Sequence, residues 1–355
     1  MPKCYFLENH ACITVDGRYR PCCVFTTDDL LPSVNDYSIN EYKQTDEFVN
    51  LKKIMDTKKW HPGCIKCKND EKNNIKSHRL QSKDYGNNGI TYLELSLSNK
   101  CNLTCKFCGP TASSKWADLI DNNLELKDLF YKKKSVKNLP FKKIFKDIDL
   151  SKLRKLKYLG GEPFITPEIK ELCNYLEEEG VIGNIELLVA TNCTFFPKKW
   201  IEQISKFKKI TIGLSIDGFG KSNEYSRTGS DWHTVETVSK QWKSISTKNK
   251  QFHVYIASTI SALTVHNYSD LVKWAKLNNI RLETNICYTP NHLSFSALPD
   301  NYKYSILDNY NKNLLKNTKF NNDDFSKFKE YIKKTDAVQN IKIDDYIPKL
   351  AEYLD

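Results

Sequence analysis

Long apolar runs are missing from this chain, and that absence removes one class of protein at once. No stretch approaches the ~18 apolar residues that a membrane-spanning helix needs. No basic, apolar and small-residue leader opens the sequence either. Together these lead us to expect a cytoplasmic protein with no membrane partner. Self-similarity at solenoid spacing is also absent, which excludes a repeat array. Acidic residues are in the minority: 54 Lys and Arg stand against 43 Asp and Glu, a net charge of +11. Such an excess invites a nucleic-acid partner. Most of it, however, is Lys in a chain also heavy in Asn and Ile, and scattered lysines form a solvated face. Lys132, Lys133 and Lys134 with Lys142 and Lys143 make the one local cluster, which suits either a solvated face or an anionic substrate. Trp60, Trp200 and Trp232 read as packing residues.

Cysteine, in contrast, is abundant: twelve in 355 residues. Structural disulfides are rare in the cytosol, so the thiols point to metal or redox chemistry. Three stand as CxxxCxxC in Cys101-Asn102-Leu103-Thr104-Cys105-Lys106-Phe107-Cys108. Thiolates at that spacing hold three irons of a cubane and leave the fourth without a protein ligand. A zinc site with a fourth ligand elsewhere uses the same residues, and spacing alone does not separate the two. Just upstream, residues 90–98 alternate apolar and polar side chains, the pattern of a strand. Further short apolar segments end in polar or glycine-rich turns: Lys157 to Leu159 runs into Gly160-Gly161-Glu162-Pro163, Ile185 to Asn192 into Cys193, and Ile210 to Gly218 carries Ser215 and Asp217. His253 to Thr259 and Arg281 to Cys287 add two more strands. Helical stretches at Pro167–Glu179, Pro197–Phe207, Trp232–Thr247 and Tyr268–Leu277 lie between them. Strand and helix alternating from residue 88 to residue 293 argue for a parallel sheet with right-handed crossovers.

These marks, in this order, resemble the radical S-adenosylmethionine (radical SAM) superfamily. The resemblance implies a partial (β/α)6 TIM-like barrel with its chemistry at the carboxyl ends of the strands. It implies a 4Fe-4S cluster on Cys101, Cys105 and Cys108, whose open iron chelates SAM for reductive cleavage to a 5'-deoxyadenosyl radical that abstracts hydrogen from a substrate. By the same resemblance Phe107 packs near the adenine, and Gly160, Gly161, Glu162 and Pro163 form the segment that binds the SAM amino group. Ser215 and Asp217 meet the ribose, and Arg227 binds the carboxylate. The family's commoner strand ending has glycine where this chain has Cys193. Cys193 and Cys287 both end strands; as cavity thiols they are candidate hydrogen donors, and as ordinary buried cysteines they are small hydrophobes. Cys173 falls inside an amphipathic helix and reads as core, while His266 and His292 carry no constellation.

Six more cysteines gather near the start: Cys4, Cys12, Cys22, Cys23, Cys64 and Cys67. Ile13 to Pro21 reads as a hairpin with Asp16-Gly17 at its turn. Cys64-Ile65-Lys66-Cys67 returns as a CxxC after a helical segment near Asp46–Lys58. One isolated cysteine, one at a hairpin end and a distant CxxC resemble the small twitch (half-SPASM) module, here preceding the barrel. That likeness implies a second, auxiliary 4Fe-4S cluster on Cys4, Cys22, Cys64 and Cys67. Cys23 and Cys12 stay open as alternatives to Cys22 and Cys4, and a zinc ribbon or a redox CxxC pair remains a competing reading of the residues. The expected organisation is a small α+β twitch domain over 1–87, the barrel over 88–293, and a helical C-terminal extension over 294–355. The likeness favours a peptide or protein substrate undergoing oxidation, crosslinking or epimerisation. A small-molecule substrate such as a sugar or nucleotide is the alternative, and a flavodoxin or ferredoxin is the expected reducing partner.

Overall fold

The computed structural model describes residues 3–26, 31–57, 59–72, 74–82, 89–126, 128–130, 144–146 and 148–354. The lysine cluster of residues 132–143 and most of the segment 81–89 fall outside them. Eight strands are described: β1 His10–Ile13, β2 Tyr19–Arg20, β3 Tyr92–Ser96, β4 Lys155–Leu159, β5 Glu186–Thr191, β6 Lys209–Ser215, β7 Phe252–Ile260 and β8 Arg281–Ile286. All six strands expected from residue 88 onward are present within a few residues of their expected bounds. The molecule is a mostly parallel α/β sheet with helices, the fold of a partial TIM-like barrel.

The chain divides into two compact units. The first comprises Met1–Asn99, Lys134–Val189 and Lys199–Ile210, with strands in the order β2-β1-β3-β4-β5. The Asp16-Gly17 turn forms as expected, with Gly17 at φ +74° and β1 antiparallel to β2. What the sequence reading did not foresee is that β1, from the segment assigned to its own domain, pairs in parallel with β3. The register aligns Cys12 with Glu94 and Glu94 with Lys157, so three polar side chains stand in a row across β1, β3 and β4. On the other face of the pleat Leu93, Leu95 and Leu156 are wholly buried. The helix Glu168–Glu178 covers apolar surface with Ile169, Leu172, Cys173 and Leu176, spaced at i, i+3, i+4 and i+7. Cys173 is therefore core, as its position in the pattern implies.

The second unit comprises Lys100–Lys133, Ala190–Lys198 and Thr211–Asp355. β7 pairs with β8 in parallel; the helix Trp232–Lys248 precedes β7, and Tyr268–Leu277 connects the two strands. Asp231 caps the first of these by accepting from the Thr234 backbone N–H at 2.8 Å. The chain after β8, featureless by motif, turns out to carry much of this unit's core. Phe295, Leu298, Tyr302, Phe328, Tyr331, Ile332 and Leu350 cluster with Tyr225, Ile260 and Leu263. Its long helix, Asn322–Gln339, buries Phe328, Tyr331, Ile332, Thr335 and Asp336 along one stripe. Among the described residues no helix is long and apolar enough to cross a membrane.

Gly160 closes β4 at φ +92°, and a Cβ there would lie 2.6 Å from the Ser98 carbonyl oxygen. Both the backbone conformation and the space demand glycine. Gly160→Ala should therefore lose about 1–3 kcal/mol. Urea denaturation of the two proteins would show it as a lower midpoint at unchanged slope; equal midpoints would contradict the reading.

Candidate iron–sulfur and cofactor site

The loop bearing Cys101, Cys105 and Cys108 has little regular structure, so its backbone groups find partners in side chains from distant parts of the second unit. Ser113 Oγ donates to the Leu103 carbonyl at 2.6 Å, and Trp116 Nε1 donates to the Cys105 carbonyl at 2.9 Å. The Thr104 and Lys106 N–H groups donate to the carbonyls of Thr228 and Ser226 at 3.0 and 2.8 Å. From the long helix, Tyr331 Oη donates to the Lys106 carbonyl at 2.7 Å and Gln339 Nε2 to the Thr104 carbonyl at 2.6 Å. The Lys106 ammonium is fully buried. It donates to Asp336 Oδ1 at 2.5 Å and Thr335 Oγ1 at 2.9 Å, and Tyr225 Oη also donates to Asp336 Oδ1 at 2.8 Å. Sequence reasoning missed this clamp. The only signal was a lysine between two cluster cysteines, with its partner in a stretch read as a plain helical tail.

Arg227 lies beside these thiols. Burial works against its charge, while Asp217, Cys105, Cys108 and Cys193 favour it, and the guanidinium holds its proton more firmly than an ordinary arginine. Its Nε stands 2.8 Å from Asp217 Oδ2. Burial pushes the Asp217 carboxyl up, offset in part by Arg227 and by the Thr259 N–H, which donates to Oδ1 at 2.7 Å. The Cys105 thiol donates toward Cys108, so Cys105 is pushed up and Cys108 down, Arg227 adding to the fall. Three thiols on one loop beside a half-buried cation form a donor set suited to thiolate ligation. All twelve cysteines are free of disulfides. The residues present thus fit a 4Fe-4S cluster.

The other expected residues fall as follows. Phe107 is half-buried against the core of the second unit. Ser215 ends β6, half-buried. Cys193 is wholly buried and takes the left-handed backbone conformation, φ +60°, where the commoner family ending has glycine. Next to it Asn192 Nδ2 donates to Asn102 Oδ1 at 2.9 Å, tying this turn to the cysteine loop. Cys287 is buried and its thiol is pushed up to about 12 by burial, with Asp217 adding to the rise. In the first unit, Gly160 and Gly161 both have positive φ, and Glu162, 1% exposed, caps the following turn by accepting from the Phe164 N–H at 3.4 Å. Pro163 is buried behind it.

The N-terminal cysteines sort into two groups. Cys4, Cys64 and Cys67 lie within one another's electrostatic reach, and Cys22 stands between the groups, nearer in influence to Cys23 and Glu94 than to Cys4. Burial pushes Cys4 up to about 11 and Cys64 up to about 12. Cys12 and Cys23 belong instead to the neighbourhood of Glu94 and Lys157. There Lys157 Nζ donates to Cys23 Sγ at 3.4 Å and to Glu94 Oε1 at 3.1 Å. Burial pushes the Glu94 carboxyl up, but Lys157, His10 and His78 outweigh it and hold it well below the usual carboxylate range. Burial pushes His78 down to about 4, against a partial rise from Glu94.

The Radical SAM superfamily model matches residues 95–277. This chain belongs to that superfamily, and its cysteine loop, Arg227 and the glycine turn after β4 all lie within the matched span. Family membership implies a 4Fe-4S cluster and SAM. Among curated proteins it is 30% identical to an uncharacterized protein of Methanocaldococcus jannaschii over 131 residues, 37% of this chain and 40% of that one. It is 23% identical to a GTP 3',8-cyclase of Clostridium botulinum over 185 residues, 52% of this chain and 53% of that one. The chain thus spans about half or less of the length of these relatives. Among solved structures, Streptococcus suis SuiB bound to the precursor peptide SuiA aligns at 16% identity and a TM-score of 0.40, covering 90% of this chain and 55% of that one.

Removing the carboxylate from the buried Lys106–Asp336 pair leaves an ammonium without its counter-ion. Asp336→Ala should cost about 3–5 kcal/mol, and adding Lys106→Met should recover much of the loss, because the uncompensated charge disappears with it. Thermal unfolding of the single and double mutants checks this. A double mutant no more stable than Asp336→Ala would refute the pairing as the source.

Proposed function

We propose that the chain is a two-cluster radical SAM enzyme that abstracts hydrogen from a peptide or protein substrate. The observation that carries the reading is the three-thiol loop beside the half-buried Arg227 guanidinium. When bound, the cluster and SAM supply one-electron cleavage to methionine and a 5'-deoxyadenosyl radical that removes a substrate hydrogen atom. The protein's part is to hold and orient. Cys101, Cys105 and Cys108 ligate three irons; Arg227, braced by Asp217, meets the SAM carboxylate. Glu162 accepts from its amino group where the glycines let the backbone come close, Phe107 packs near the adenine, and Ser215 meets the ribose.

Cys4, Cys22, Cys64 and Cys67 ligate the auxiliary cluster in a twitch-like segment, residues 1–87, with residues 294–355 as the extension after the barrel. The mutual electrostatic reach of Cys4, Cys64 and Cys67 supports those three as ligands, Cys4 rather than Cys12 among them. Held by four cysteines, such a cluster has no vacancy for substrate and acts by passing an electron. Cys193 and Cys287, both buried, are the thiols available as hydrogen donors. A peptide substrate follows from the twitch likeness. The similarity to GTP 3',8-cyclase favours a second reading, a nucleotide or another small molecule. A flavodoxin or ferredoxin supplies the reducing electron in either case.

Reduced protein given SAM should release 5'-deoxyadenosine and methionine, and Cys105→Ala should abolish this. Glu162→Ala should weaken SAM binding while leaving the iron content unchanged, since it removes an acceptor and no ligand. Chromatographic product analysis decides; cleavage at the wild-type rate in Cys105→Ala would sink the reading. Anaerobic reconstitution should give about eight irons per chain. The double variant Cys64→Ala, Cys67→Ala should keep about half and retain slow SAM cleavage. Full iron in that variant would remove the auxiliary cluster.

A further inference from the structure

On the polar face of β1, β3 and β4 stands a group of side chains that neither cluster uses. Cys23 Sγ, a His78 ring nitrogen and a Glu94 carboxylate oxygen all lie within 4.8 Å of one another. Cys23 Sγ and His78 Nε2 are 3.8 Å apart, a spacing two ligands of one small ion adopt. His10 faces the same carboxylate. Its Nδ1 donates to the Pro21 carbonyl at 2.9 Å, since a carbonyl can only accept, and this fixes Nε2 as the outward atom. That Nε2 is completely buried and 3.5 Å from Glu94 Oε2, yet makes no hydrogen bond. His10 thus stands behind the Glu94 carboxylate and braces it, the part a neighbouring residue plays around a metal-ligating carboxylate.

We propose that Cys23, His78 and Glu94 form a mononuclear site for a divalent first-row transition ion, zinc or ferrous iron, with His10 bracing Glu94 from behind. One thiolate, one carboxylate and one neutral imidazole carry two negative charges and offer the mixed sulfur, nitrogen and oxygen donors such an ion takes, with a water as the fourth ligand. Tyr92 Oη and the Cys23 N–H, donating to Glu94 at 2.9 and 3.0 Å, hold the carboxylate in place. Without the ion, the Lys157 ammonium supplies the positive charge, 3.1 Å from Glu94 Oε1 and 3.4 Å from Cys23 Sγ. Its side chain is 18% exposed, so the long stem can withdraw toward water as the ion enters. Cys23 and His78 are half-buried and give the approach. This site shares no ligand with the Cys4, Cys22, Cys64 and Cys67 set.

The test is zinc binding to the full-length, iron-reconstituted protein, with zinc and iron counted by mass spectrometry after gel filtration. The wild type should retain about one zinc per chain. Cys23→Ser and His78→Ala should each lose it with the iron unchanged, and Lys157→Met should bind zinc at least tenfold more tightly, because the competing ammonium is gone. X-ray absorption at the zinc edge should report one sulfur and three nitrogen or oxygen neighbours. No retained zinc in the wild type, or zinc that survives in both Cys23→Ser and His78→Ala, overturns the proposal. So does iron rather than zinc lost from Cys23→Ser, which would assign that thiol to the auxiliary cluster. Zinc lost only with Cys64 and Cys67 replaced would overturn both this site and the auxiliary iron cluster. Should Lys157→Met be destabilised without recovery on adding zinc, the group is a salt-bridge network alone.

Discussion

A buried ammonium organises the cysteine loop. Lys106 lies between two of the three thiols in sequence, and its charge is matched by Asp336 in a place water does not reach. An unmatched charge there would cost more than any single loop contact returns, so loop and long helix must be placed together. Tyr331 and Gln339 then satisfy two of the loop's carbonyls from the same helix. The arrangement frees the thiols themselves from structural duty. Their neighbour is Arg227, a cation that favours the thiolate form.

The sheet of the first unit shows the same economy with charge in another form. Cys12, Glu94 and Lys157 occupy neighbouring register positions on one face, with His10 and Tyr92 two residues along. A strand whose polar side faced water would carry such residues at little cost. Here that side is covered, and Glu94 is wholly buried with acceptor positions met by Tyr92, Lys157 and the Cys23 N–H. Buried polar groups of this density persist only when almost every one is paired. His10 Nε2, which faces Glu94 at 3.5 Å without a well-formed hydrogen bond, is the loosest member of the set.

Much of the fold was legible in the sequence. The strands carry apolar alternation strong enough to place β3 to β8, and helices such as Trp232–Lys248 announce themselves by buried Val235, Val238, Ser239 and Trp242 at helical spacing. Cysteine spacing and the glycine turn after β4 marked the site because both are local in sequence. What stayed hidden is non-local. Nothing in residues 10–13 says that they pair with residues 92–95, and the alternation of Tyr92, Glu94 and Ser96 reads as a solvated face until its covering is known. Asp336 likewise sits in a polar helix with no motif, and only its partner 230 residues away gives it meaning. Cys193 was visible as a departure from glycine, but its left-handed backbone was not.

The long helix gives the chain an order of assembly. Its contacts to the cysteine loop join residues separated by 225 to 235 positions, so during synthesis the loop emerges well before the side chains that fix it. Until residues 331–339 arrive, Lys106 can remain hydrated and the three thiols stand on a slack segment open to adventitious metals and oxidants. The loop therefore takes its final shape only once residues 331–339 have been made. One helix thus sets the loop and walls the core in the same folding step.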